Sequence, residues 1–310
     1  MPGFTLGLAL GGGAARGLAH IGVLRALERA DIRPDLITGT SIGSLVGSVH
    51  ACVADAGETE RVFRKFVVSP EFRRTEFDFL KGSRESKPNL LYNVKDLIKR
   101  GIFYSFSMAR PSFISEQNFT HNIHSLVPDI EIGQTKIPFF PVAADLETGV
   151  EVVITSGPLR RGVCASSAIP GLLPPVRLNG KVLIDGGWVS KVPVFAAFKQ
   201  GADMVIGVDI SPELEDSRGL KKGFDILVRA NAIKAEALKN FQCKLLDVLI
   251  KPRVGHVHWA DFTKGVTLIE EGDRAATLKI PEIKEKMERS RWKTRLGFSR
   301  GRRFSRVFDA

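Results

Sequence analysis

The segment Gly39-Thr-Ser-Ile-Gly43 has the G-x-S-x-G form of a nucleophile elbow, a sharp strand-to-helix turn that exposes a serine. About two dozen residues earlier, the strand-like run Thr5-Leu-Gly-Leu-Ala-Leu10 leads into Gly11-Gly-Gly-Ala-Ala-Arg-Gly17. Gly11 to Gly13 carry no Cβ and can bring backbone N–H groups close to an anion, and the helix that follows adds its positive N-terminal end. An exposed serine beside a cradle of donors makes two parts of an acyl-transfer site. Serine attacks only when a positioned base takes its proton, and the tetrahedral intermediate needs preorganised donors at its oxyanion.

The base has two candidate sources. His256 and His258, in Val254-Gly-His-Val-His-Trp259, would satisfy the chain order of an α/β-hydrolase. The elbow here follows a single earlier strand, however, whereas in that fold it follows several. Asp185 is the better candidate. It ends the strand-like run Lys181-Val-Leu-Ile184 and is followed by Gly186-Gly187. That places a carboxylate at the carboxyl edge of a sheet, where open α/β sheets bind ligands. A partly buried carboxylate with a raised pKa can take a serine proton without a histidine. His20, on the helix after the glycine loop, reads as a packed or surface side chain.

The glycine loop has competing readings. As a dinucleotide fingerprint it carries Arg16 where G-x-G-x-x-G, counted from Gly11, needs its third glycine, and no clear acidic residue ends the second strand. It has no Gly-Lys-Ser/Thr ending, so it is not a P-loop.

These segments need elements to hold them. Leu18 to Arg29 has helical spacing, Leu36 to Thr38 reads as a strand, and Ser44 to about Ala54 reads as a helix. This βαβα start predicts a three-layer α/β/α fold with a parallel-rich central sheet. Strand patterns return at Phe139 to Ala144, Val150 to Ile154, Val182 to Ile184 and Met204 to Val208. A long helical pattern runs from Leu220 to Ile250, and its apolar stripe (Phe224, Leu227, Val228, Ala235, Leu238, Leu245) reads as core. Residues 58–125 read as a cap of short helices and loops, rich in Phe63, Phe66, Phe72, Phe77, Phe79, Tyr92, Phe103, Tyr104, Phe106 and Phe113. Those aromatics pack the cap onto the sheet; in the functional alternative, some line an acyl-chain pocket.

The chain has 310 residues, 44% hydrophobic, enough for a full core. No apolar run approaches the ~18 residues of a membrane span, and the glycine-interrupted N-terminus is a poor secretory signal. Cys52, Cys164 and Cys243 are widely spaced and form no metal or disulfide pattern, so a cytoplasmic protein without a metal or cofactor is expected. The net charge of +11 is concentrated at the end: residues 284–306 hold ten Lys or Arg against two Glu. We expect one hydrolase-like domain over residues 1–281 and a basic tail over 282–310. Trp292, Leu296, Phe298 and Phe304 are interleaved with the tail's cations. The bland reading is a solvated, partly disordered tail. The functional reading is contact with an anionic membrane surface at the inner face, with nucleic acid less favoured.

Taken together, these motifs resemble the patatin-like phospholipase family in its compact bacterial form. That family combines a glycine loop ending in Arg/Lys-Gly, a G-x-S-x-G elbow and an Asp-Gly-Gly turn, matched here by Gly11 to Gly17, Gly39 to Gly43 and Asp185 to Gly187. Leu18-Ala-His-Ile-Gly-Val-Leu-Arg-Ala-Leu27, Ser166-Ser-Ala-Ile-Pro170 and Pro174-Pro175 also resemble it. The resemblance is strong over about residues 5–211, weaker to about Ile280 and absent from the tail. It implies a dyad of Ser41 as nucleophile and Asp185 as base, an oxyanion hole from amides near Gly12, Gly13 and Ala14, and hydrolysis of lipid or fatty-acyl esters. It further implies that Arg16 orders the loop. Ala14 stands where many members have glycine, and Ser190-Lys191 stands where many have asparagine. Two other classes stay open: a nucleotide-binding protein using the Gly11 loop, and a non-catalytic adaptor on the same fold.

Overall fold

The computed structural model describes residues 3–69, 72, 112, 114–214 and 223–296, with the side chain of Phe224 excepted. Phe77, Phe79, Tyr92, Phe103, Tyr104, Phe106, Phe113, Phe298 and Phe304 therefore lie outside the described residues, as do most of the expected cap and the end of the tail.

The central sheet consists of β1 (Leu6–Leu10), β2 (Leu36–Thr40), β3 (Phe139–Asp145), β4 (Glu151–Val153), β5 (Val176–Leu178), β6 (Lys181–Asp185), β7 (Met204–Val208) and β8 (Val248–Ile250). Its order is β5-β6-β3-β2-β1-β7-β8, with β4 pairing β3 off this path. The pairs from β3 through β8 along that path are parallel, and β4, β5 and β6 add an antiparallel edge. The helices are α1 (Ala19–Arg29), α2 (Ile42–Val53), α3 (Ala56–Val67), α4 (Glu116–Leu126), α5 (Leu159–Ser167), α6 (Val194–Lys199), α7 (Gly223–Cys243) and α8 (Gly265–Arg295). None of them, among the described residues, is long and apolar enough to cross a membrane.

Both faces of β1 are buried, as expected for a parallel strand covered by helices. Leu6, Leu8 and Leu10 join the core made with α1, α2 and α8. Ala9, with Leu36 and Val205, packs on the other face against Phe198 and Ala197 of α6. This is the expected three-layer α/β/α arrangement.

Two expectations about helices are corrected. The pattern read as one helix to Ile250 ends at Cys243, and Val248–Ile250 forms the edge strand β8. The Asp247 side chain accepts the Val205 N–H (2.9 Å), which fastens the new strand to β7 before it starts. The boundary expected after residue 281 falls within α8, which continues through Pro281 to Arg295. Ile283, Met287 and Thr294 are buried, so this stretch is packed on the body instead of trailing from it. α8 lies close on α1: a Cβ on Gly22 would overlap the backbone of Ile269, and one on Gly272 that of Ala19.

Candidate active site

β1 and β2 run parallel with Leu10 opposite Gly39, so the glycine loop and the elbow leave the sheet side by side at its carboxyl edge. Asp185 arrives from the opposite direction. β3 pairs with β2 up to Val142↔Thr40 and with β6 from Ala143↔Asp185. β4 pairs Val142, Ala143 and Ala144, and so occupies the other side of β3. β2 and β6 therefore lie along the same side of β3 and meet head to head. Their last residues oppose neighbouring β3 positions, whose Cα atoms are about 3.8 Å apart. That junction brings Ser41 and Asp185 together from positions far apart in the chain.

Ser41 sits at φ 56°, ψ −124°, a conformation that ordinary residues adopt only when their surroundings force it. The forcing contacts are visible. The Ser41 N–H donates to the Ser166 carbonyl and to its Oγ, both at 3.1 Å. Ser166 Oγ donates in turn to the Val142 carbonyl at 2.6 Å. The Thr40 hydroxyl donates to the Ser190 carbonyl at 2.9 Å. The two glycines of the elbow let strand and helix touch: a Cβ on Gly39 would stand 2.6 Å from Ser44 Cα, and one on Gly43 would overlap the Leu10 carbonyl. Gly17 and Gly186 are closed in by Ile42 and by the Val142 carbonyl in the same way.

Both members of the pair are buried, Ser41 at 8% exposure and Asp185 at 5%. Burial pushes the Asp185 carboxyl up to about 6, opposed by the Ser41 hydroxyl, the Gly187 N–H and the charge of Lys191. The Gly187 N–H donates to Asp185 Oδ1 at 2.7 Å, which fixes the carboxylate's orientation. At neutral pH this group is ionised but remains a better base than an exposed aspartate.

The loop amides divide into two groups. Gly11 N–H donates to the Val208 carbonyl (3.1 Å) and Gly12 N–H to the Lys191 carbonyl (2.9 Å). Gly12 is therefore corrected from oxyanion donor to structural anchor, because its one proton is already engaged. Gly13 and Ala14 have no such partner among the described residues. Ala14 adopts φ 50°, the left-handed conformation that the missing glycine would have favoured. A loop with its first two amides engaged offers a poor cradle for a nucleotide phosphate.

Arg16 Nε donates to the Val257 carbonyl at 2.8 Å, tying the loop to the segment that holds His256 and His258. Those two histidines are not brought to Ser41; His258 Nδ1 instead accepts the Ala260 N–H at 3.3 Å. Sequence reasoning left two supporting residues unassigned. One is Ser166, whose signal was the Ser166-Ser-Ala-Ile-Pro170 segment. The other is His20, fully buried, with Nε2 2.8 Å from the Gly11 carbonyl. Burial lowers the His20 pKa to about 4, so the ring is neutral and donates to Gly11 from Nε2. Among the described residues, no cluster of three or more His, Cys, Asp or Glu side chains could hold a metal ion.

An apolar cavity opens from Ser41, with about 850 Å³ of empty space including its mouth. Ile42, Leu45, Phe63, Phe66, Phe72 and Phe262 line it, together with apolar residues of α4. Phe72 stacks edge-on against both Phe66 and Phe262, with ring centroids 5.3 and 4.9 Å apart. The described aromatics of the expected cap thus line a cavity, and Phe63 also belongs to the core.

Residues 8–198 match the family model described as patatin-like phospholipase. Patatin-like phospholipase domain-containing protein 6 of Homo sapiens is 33% identical over 217 residues, covering 69% of this chain and 14% of that protein. Lysophospholipase NTE1 of Candida glabrata is 32% identical over 225 residues, covering 72% of this chain and 11% of that protein. The chain thus spans no more than 14% of the length of these curated relatives. Among solved structures, VipD from Legionella pneumophila aligns with 90% of this chain and 67% of its own, at a TM-score of 0.44 and 11% identity. With its match running from β1 into α6, through both glycine motifs and Asp185, the chain belongs to the patatin-like phospholipase family.

Proposed function

We propose that the chain is a serine lipid acyl hydrolase that cleaves fatty-acyl esters through an acyl-Ser41 intermediate. One observation carries this reading: a strained serine and a buried carboxylate of raised pKa meet where Ser41 lines an apolar cavity. Ser41 Oγ attacks the ester carbonyl while its proton passes to Asp185. The carbonyl oxygen becomes an oxyanion held by the Gly13 and Ala14 N–H groups. Collapse breaks the ester C–O bond, and the departing alkoxide takes the proton from Asp185. Asp185 then removes a proton from water as it attacks the acyl carbonyl, and the fatty acid leaves as Ser41 recovers its hydrogen. The cavity receives the acyl chain, whose burial supplies binding energy of about 0.8 kcal/mol per methylene. The names of the relatives point to lysophospholipid or phospholipid esters as the first substrates to test.

The test is intact-protein mass spectrometry after exposure to a fluorophosphonate. Wild type should gain one adduct, Ser41→Ala none, and Asp185→Asn should react slower by two orders of magnitude or more, as general-base catalysis typically contributes 10²–10⁴-fold. A folded wild type that gains no adduct would remove the reading and favour a non-catalytic protein on this fold. Asp185→Asn with full reactivity would remove the dyad.

A further inference from the structure

α7 buries polar side chains and exposes apolar ones. Lys239, 2% exposed, pairs with Asp209 and Glu236 at 2.9 Å each, and Gln242 donates to the Val189 carbonyl at 2.8 Å. Several of its large apolar side chains face away. Ile226, Leu227, Ile233, Leu238 and Phe241 are between 40% and 66% exposed. Ile226, Ala230, Ile233, Ala237 and Phe241 follow one another at helical spacing, so the face is continuous from Ile226 to Phe241, or about 24 Å. The stripe read from sequence as core is thus corrected: at Leu227, Val228 and Leu238 it lies on the surface. A contiguous exposed apolar face of this kind marks an interaction site.

The charge on this face selects its partner. Lys234 and, just beyond the helix, Lys244 are exposed. The only acids of α7, Asp225 and Glu236, are both partly buried, and Glu236 is held by Lys239. The outward face therefore carries Lys234 and Asn240 among its apolar side chains, and no carboxylate. Two copies joined by a two-fold axis would set Lys234 against another carboxylate-free face. An anionic bilayer supplies both an apolar interior and negative headgroups. The Gln242 bond also ties the end of α7 to the loop after Asp185, where Trp188 is 51% exposed. Tryptophan is favoured at membrane interfaces because it has an apolar body and a polar N–H.

We propose that α7, with Trp188, is the surface through which this protein lies on an anionic lipid membrane. Lys239 and Gln242 hold the helix to the body by its polar side, which leaves the apolar side for the acyl region. The basic stretch after residue 284 is a separate element: its first part belongs to α8, packed on α1.

The full-length protein is sedimented with vesicles of equal parts phosphatidylglycerol and phosphatidylcholine, and with phosphatidylcholine alone. Wild type should bind the anionic vesicles and lose most binding on the neutral ones. Leu227→Ser with Phe241→Ser should bind at least about tenfold more weakly, in keeping with two large apolar side chains withdrawn from lipid. Lys234→Glu should weaken binding to anionic vesicles alone. All variants should keep wild-type melting temperature and fluorophosphonate labelling, so this result stands or falls apart from the role of Ser41. The proposal is overturned by unchanged vesicle binding in the double variant. It is equally overturned if truncation after residue 296 abolishes binding while the α7 variants retain it. A wild-type dimer that the double variant dissociates, without vesicle binding, would assign the face to a second copy. A large fall in melting temperature on Leu227→Ser would assign it to another segment of this chain.

Discussion

The strand junction at Ser41 and the helix α7 both break local rules of protein construction, and they break them differently. At the junction, a non-glycine residue holds a positive φ and a carboxylate is buried with its pKa raised, but both are enclosed by neighbouring backbone and hydrogen bonds. On α7 Lys239 and Gln242 are buried and paired, while much of the apolar side is left uncovered by the described residues. Enclosed strain suits a reactive group held in place inside the molecule, as the proposed acyl transfer would need. Uncovered apolar surface is a property of contact with something outside it. The two regions meet at the Asp185–Val189 loop, which holds the carboxylate at one end and accepts the Gln242 bond at the other.

Substitutions that act on the enclosed region sharpen the contrast. The largest effect is expected from Gly43→Ala. Its methyl would overlap the Leu10 carbonyl, which cannot move without shifting β1 and the loop after it. Overpacking typically costs about 1–3 kcal/mol, and a clash with backbone lies at the upper end of that range or beyond it. A clear fall in melting temperature and loss of fluorophosphonate labelling should follow; a wild-type melting temperature would mean that the elbow is not tightly closed.

Asp185→Asn tests whether the site is held at a cost to stability. The folded pKa of about 6 lies above the unfolded value of 3.8, so the native state binds the proton more tightly. The neutral form is favoured below pH 3.8, and the penalty develops between there and about pH 6, remaining constant above. Asp185→Asn should therefore gain up to about 3 kcal/mol at pH 7–8, and lose that advantage towards pH 4. Thermal melts across this range measure it; a variant no more stable at pH 8 than at pH 4, relative to wild type, contradicts the burial of the charge. In wild type the same carboxylate should set an acid limb near pH 6 in kcat/KM on a water-soluble ester, with activity rising as the base ionises.

The smallest effect is expected from Ala14→Gly. The left-handed conformation costs an alanine about 1 kcal/mol, partly offset by the greater unfolded-state freedom of glycine. Stability should change by a few tenths of a kcal/mol in favour of glycine, with labelling retained. A strong loss of labelling would show that the Cβ itself positions the loop.

The residues of the site were legible because their constraints are local. A serine between two glycines, a glycine run after a strand and Asp-Gly-Gly each state a backbone requirement within a few positions. The same locality explains the elements read correctly, from β1 to α2 and again at β3, β6 and β7. It also explains the failures. The alternation of apolar residues on α7 was correctly helical, but helical spacing is the same whether the apolar side faces in or out. Gly12 was one of three equivalent amides until the Lys191 carbonyl, from 179 positions later in the chain, took its proton.

By itself the sequence determined the nucleophile candidate, the carboxylate candidate, the glycine loop and the parallel strands that lead to them. These follow from turn chemistry and side-chain period, which act between near neighbours. Only the tertiary structure decided that β2 and β6 meet head to head along β3, that Gly13 and Ala14 are the loop amides left without a partner among the described residues, and that α7 shows much of its apolar side to the outside. Each depends on which distant backbone groups and charges are present to satisfy a residue, and that is settled when the chain is folded.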